Sequence, residues 1–288
     1  GLITAGGMFL VLIAGITVTS TGSEYGCGRD WPLCNGKLIP EFALSTAIEY
    51  SHRVITAGET ILVLALTAGL VWLEGSRWSA RILAVLLIFS LFLQAGMGAL
   101  AVLHPQQAVI LALHFGISLI AVSTALLSGL DARWHNWTLI APSAPTWVMV
   151  GIWSFAIYLY GVIYSGALLS HLGGGYACPG WPFCLAEGTR LDLVQINLLH
   201  RGMVGLALLL ALGLIPFLHW QARSRSDLQM GAWALLAALG AQALAGGFLV
   251  LSHWSLNGRL LHAGITAVVF AALAYLCLRS TLRSAQPG

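Results

Sequence analysis

The sequence predicts an all-α membrane protein, with eight transmembrane helices laid out as two tandem, pseudo-symmetric four-helix bundles. Three observations predict it. The 288-residue chain is 58% hydrophobic and only 8% charged, where a soluble domain carries about 25% charged residues. That leaves too little polar surface to coat a water-soluble globule. Apolar runs long enough to cross a bilayer recur along the whole chain. Finally, a histidine pattern in the first half returns in the second with a fixed offset of 148 residues.

The apolar runs fall at 1–20, 46–73, 82–103, 108–128, 146–170, 193–218, 229–251 and 259–279, with polar or Gly/Pro-containing stretches between them. The chain opens at Gly1 inside an apolar run with no basic stretch before it, so a short cytoplasmic leader is expected ahead of it. An even number of spans puts both termini on one side. Arg77, Arg81, Arg133, Arg223, Arg225, Arg279 and Arg283 all fall on that side, which reads as cytoplasmic in a cell-membrane protein. The opposite loops carry Glu24, Arg29, Asp30, Lys37, Glu41, Glu187, Arg190 and Asp192, with no cationic excess. The net charge of +3, with no basic run, gives no ground for nucleic-acid binding.

His52 and His114 lie 62 residues apart, and so do His200 and His262. Each sits inside an apolar run, on an even-numbered segment, one to two turns below the outer face. A histidine in hydrocarbon is costly and marks a functional site with a partner. The repeat extends further. Glu49-Tyr50-Ser51-His52-Arg53 returns as Asn197-Leu198-Leu199-His200-Arg201. Gln94 precedes His114 by 20 residues, as Gln242 precedes His262. His114-Phe115-Gly116 echoes His262-Ala263-Gly264. Residues 1–140 and 141–288 are therefore expected to form two parallel repeats related by an axis along the membrane normal.

Cofactors in four-helix bundles bind between facing helices. Segments 2 and 4 would supply one histidine pair and segments 6 and 8 the other. Two imidazoles suit a haem iron, whereas zinc wants three or four close ligands, which these apolar neighbours do not offer. The glycines near His114 and His262 would let a flat macrocycle approach the backbone, and Gly96, Gly98 and Gly246 beside the two glutamines are further marks of the repeat. His104, His135, His171, His219 and His253 lie at loop edges and are not expected to be ligands.

One substitution between the halves carries chemistry. Glu49 stands one helical turn from His52, while its counterpart is Asn197. A carboxylate there can exchange protons beside a bound haem, and an amide cannot. The first half thus reads as reactive and the second as an electron-transfer site. Pairing of Glu49 with Arg53 is the structural reading of the same residue. The outer loops repeat too: Cys27 to Cys34 and Cys178 to Cys184 each end in Trp-Pro-x-Cys. Disulfides are expected on an oxidising outer face. A staple and a redox role both remain open for the first pair. Cys277 reads as a free thiol.

These motifs resemble the haem A synthase family, membrane enzymes that convert haem O to haem A for cytochrome oxidase. The resemblance rests on Thr21-Gly22-Ser23, Trp31-Pro32-Leu33-Cys34-Asn35-Gly36, Glu49-Tyr50-Ser51-His52-Arg53, His114, Cys178 to Cys184, His200-Arg201 and His262, and it spans all eight segments. It implies oxidation of a haem methyl to a formyl group, which agrees with Glu49, read above from the asymmetry of the halves, as the catalytic residue. It implies a substrate haem O in the first half at His52 and His114, and a resident haem b in the second at His200 and His262. Arg53 and Arg201 are candidate cofactor-binding neighbours. A farnesyltransferase that makes haem O and other cytochrome oxidase assembly factors are the implied partners. Two other readings use the same histidines: a di-haem b electron-transfer subunit, and a haem carrier or exporter.

Overall fold

The computed structural model describes residues 1–104, 107–133, 143–184 and 191–282. His135, Glu187, Arg190 and Arg283 lie outside the described residues. Among the described residues eight long helices account for the fold: α1 (Leu2–Ser20), α2 (Leu44–Glu74), α3 (Trp78–Leu103), α4 (Ala108–Arg133), α5 (Thr146–His171), α6 (Leu191–Gln221), α7 (Ser226–Leu251) and α8 (Leu256–Thr281). A 3-10 turn, Gly174–Ala177, follows α5. Among the described residues there is no strand, only an isolated bridge between Cys34 and Lys37.

All eight helices are long and apolar enough to span a membrane, with mean hydropathy of 1.6 to 2.2 over their best windows. Helix is the form that satisfies every backbone polar group within one segment, which hydrocarbon demands. Several interior hydroxyls are satisfied locally in the same way. Thr67 donates to the Val63 carbonyl (2.8 Å), Thr124 to Ile120 (2.7 Å) and Ser128 to Thr124 (2.7 Å). Large apolar side chains such as Phe89, Phe92 and Ile157 face outward and are mostly exposed, as lipid contact permits.

The principal helix contacts map onto one another when α1–α4 is exchanged for α5–α8. α1 packs on α2 and α4, as α5 packs on α6 and α8; α2 meets α3 and α3 meets α4, as α6 meets α7 and α7 meets α8. Between the halves, α1 touches α8 and α5 touches α4, while α4 and α8 meet each other. Leu12, Leu119 and Ala267 form a small buried cluster at that junction. Larger clusters lie within each half, one around Leu83 and Leu87, the other around Leu228 and Leu235.

The two ends of the bundle differ. At one end Arg77 of the α2–α3 turn pairs with Asp131 of α4 (2.7 Å) and Glu74 (3.0 Å). The equivalent place in the second half holds Asp227 between Arg225 (2.9 Å) and Arg279 (2.7 Å). Shifting by 148 turns Arg77, Ser79 and Asp131 into Arg225, Asp227 and Arg279. The carboxylate has moved from one helix to the other, yet each half still ties the start of its third helix to the end of its fourth. The cysteine loops and the four paired histidines occupy the opposite end.

Candidate functional site

His52 lies 8 residues into α2 and His200 lies 9 into α6, while His114 and His262 each lie 6 into α4 and α8. At 1.5 Å per residue these depths are about 9 to 14 Å below the helix starts. His52 and His114 are close enough to act on each other electrostatically, and so are His200 and His262. The duplicated scaffold thus brings together the predicted pairs.

Each ring lies against a glycine on the helix before its own. A methyl group at Gly15 would stand 3.3 Å from His52 Cε1, and one at Gly98 3.6 Å from His114 Cε1. In the second half a methyl at Gly166 would stand 2.6 Å from His200 Cε1, and one at Gly246 3.4 Å from His262 Cε1. These glycines let the imidazoles pack on bare backbone. Sequence reasoning named Gly98 and Gly246 only as marks of the repeat, and missed Gly15 and Gly166.

The rings are also held from behind. The Gln94 amide, turned with its nitrogen toward the ring, lies 2.9 Å from His114 Nδ1. It also meets the Ser118 hydroxyl, which bonds the His114 carbonyl. Gln242 stands at the equivalent place, its amide nitrogen 3.3 Å from His262 Nδ1, 3.2 Å from His262 Nε2 and 2.7 Å from Thr266 Oγ1, to which it donates. Ser165 of α5 lies 3.0 Å from His200 Nδ1. His52 Nδ1 is buried with no hydrogen-bond partner.

The residue after each α2 or α6 histidine fastens the disulfide loop above it. Arg53 donates to the carbonyls of Asp30 (2.8 Å) and Leu33 (2.6 Å) and pairs with Glu49 Oε1 (2.6 Å). Arg201 donates to the carbonyls of Gly180 (2.7 Å), Pro182 (3.0 Å) and Cys178 (3.0 Å). Glu49 is buried, and its Oε2 accepts from the Cys27 N–H at 2.8 Å. Asn197, equally buried, donates instead to the Gly174 carbonyl at 3.0 Å. Both oxygens of Glu49 are therefore engaged by the loop and its arginine. Cys27–Cys34 and Cys178–Cys184 are disulfides, with Cα separations of 4.4 and 4.7 Å. Cys277 is free and buried.

A second carboxylate was missed by sequence reasoning. Glu59 lies two turns beyond His52 on α2, is buried against Gly7 of α1, and has Oε1 without a hydrogen-bond partner. Its counterpart in the second half is Ala207. The signal was present, since a lone glutamate in an apolar span is functional by default.

The donor set fits a haem. Two imidazoles on facing helices are what a haem iron takes from a protein, and the Ser165 oxygen 3.0 Å from His200 Nδ1 is a fitting acceptor behind one of them. Among the described residues no group of three or more His, Cys, Asp or Glu is placed to hold a metal ion.

Fold and site together define a multi-pass membrane protein with two duplicated, paired-histidine centres under disulfide-closed loops. The family model for the COX15-CtaA cytochrome oxidase assembly protein matches residues 39–274, and the chain belongs to that family. It is 36% identical over 281 residues to a protein named "Heme A synthase" from Symbiobacterium thermophilum, covering 94% of this chain and 90% of the relative. Proteins of the same name from an Exiguobacterium species (37% identical; 98% and 93% covered) and Bacillus licheniformis (36%; 96% and 94%) are similar over nearly their whole lengths.

Proposed function

We propose that this chain is a haem A synthase, a membrane oxidoreductase that converts one methyl group of haem O to a formyl group through hydroxylated intermediates. The paired histidines, repeated on a duplicated bundle, carry this reading. The near full-length similarity to proteins of that name supports it, and the relatives favour neither the electron-transfer nor the carrier alternative.

Residues 1–140 hold the substrate haem O between His52 and His114, and residues 141–288 hold haem b between His200 and His262. The asymmetry of carboxylates supports this division. Glu49 stands one turn before His52 and Glu59 two turns beyond it on α2, where the second half has Asn197 and Ala207. When bound, haem b supplies reversible one-electron iron chemistry. Glu49 holds and passes protons one turn from His52. Arg53 and the Cys27 N–H fix its carboxylate there (2.6 and 2.8 Å). Arg53 and Arg201 border the haem sites and keep each loop seated across the histidine end, which limits water entry. The histidine end faces outward and both termini lie in the cytoplasm, a reading supported by the arginine-rich opposite end. A haem O-forming farnesyltransferase and cytochrome oxidase assembly factors are the partners this activity needs.

The test is complementation. In a bacterial host that makes haem O but lacks its own synthase, expression of this chain should produce haem A in extracted membrane pigments. Full-level, membrane-inserted protein with haem O as the sole pigment of that class would contradict the proposal.

A further inference from the structure

The two histidines on α2 and α6 differ in what stands behind them. The register of α1 against α5 is set by two contacts. Gly15 and Gly166 each lie under a histidine ring. Phe9 and Tyr160 each reach the glycine two residues past the α4 or α8 histidine of the other half: Tyr160 reaches Gly116 and Phe9 reaches Gly264. Both pairs are offset by 151 residues. The same offset pairs Ser165 with Ala14.

Ser165 donates its hydroxyl proton to the Val162 carbonyl at 2.8 Å. With that proton committed, its oxygen can only accept from His200 Nδ1, 3.0 Å away. The proton of His200 is thereby held on Nδ1, and Nε2 keeps its lone pair for a metal. Ala14 has no such group, and His52 Nδ1 is buried without a partner. A partner on the second ring nitrogen fixes tautomer and orientation and raises ligand basicity.

We propose that Ser165 is a positioning residue that makes haem retention in the second half permanent, and that Ala14 leaves His52 a weaker ligand so that the first half can exchange its haem. This rests on the histidine-bound haems of the proposed function. The first half must take in substrate and release product at every turnover, while the second must keep its group. One hydroxyl, present in one half and absent in the other, separates the two requirements.

The test uses the purified full-length protein and its reciprocal variants. Haem transfer to excess apomyoglobin is followed by absorbance, and the haem b midpoint potential is measured alongside. In Ser165→Ala, haem b should leave about tenfold faster, the low end of outer-ligand effects. Its midpoint should rise, because a less basic imidazole stabilises the ferric state less. Ser165→Thr, which keeps the hydroxyl, should restore both. In Ala14→Ser, release of haem O from the first half should slow by about the same factor. Wild-type transfer rate and midpoint in Ser165→Ala would overturn the proposal. Should that variant not accumulate, unchanged haem O release in Ala14→Ser overturns it instead. Loss of haem b from the wild type on mild purification, or its full retention in His200→Ala, would sink the underlying haem assignment, a distinct result.

Discussion

Replacing His200 or His262 with alanine should remove the reduced-minus-oxidised haem b signal from the purified protein. The loss should exceed tenfold, since changes to groups behind a ligand already cost about 10 to 100-fold in affinity. No rescue by a neighbour is expected, because among the described residues no further His, Cys, Asp or Glu completes a metal-holding group there. The protein should still reach the membrane, since neither ring belongs to the buried clusters that hold the halves together. An unchanged haem b signal, in amount and band position, would reject these ligands.

Glu49→Gln should abolish haem A formation while leaving fold and haem b in place. A positioned proton carrier contributes about 10² to 10⁴-fold, so haem A production should drop at least a hundredfold, with haem O or a hydroxylated intermediate accumulating. The fold should survive because the amide oxygen can still accept from the Cys27 N–H, and Arg53 keeps the carbonyls of Asp30 and Leu33. Pigment extraction from membranes reads the outcome. Haem A at the normal rate would reduce Glu49 to a clasp on the disulfide loop.

The helices were legible because hydrocarbon leaves so few ways to write a span. Their ends were less so. The apolar run at 82–103 predicts a start after Arg81, yet α3 begins at Trp78. The Arg81 guanidinium lies over the Trp78 ring, 5.5 Å from its centroid, so the charge stays at the edge while the helix continues. Segment 108–128 runs on to Arg133 because Asp131 is neutralised by Arg77 across the bundle. Composition cannot show such a partner.

The site was legible as far as a single offset reached. A shift of 148 aligns the histidines, Gln94 with Gln242, and Ser118 with Thr266. It fails on α1 and α5, because Gly15 precedes His52 by 37 residues while Gly166 precedes His200 by only 34. At 148 Ser165 would align with Thr17, which hides the loss of the hydroxyl at Ala14. Glu59 escaped for the opposite reason: with Ala207 opposite, it is no part of the repeat. The engagement of Glu49 by a backbone N–H from 22 residues earlier is a tertiary contact, visible only once the loop folds back on α2.

The central claim, that one half holds a substrate haem and the other a resident haem b, is tested most directly by identifying the pigments in the purified protein. The protein is made in cells that supply haem O, its haems are extracted and they are separated by chromatography. The account predicts haem b together with haem O or haem A. Haem b alone, at two per chain, would contradict it and make both histidine pairs electron-transfer sites.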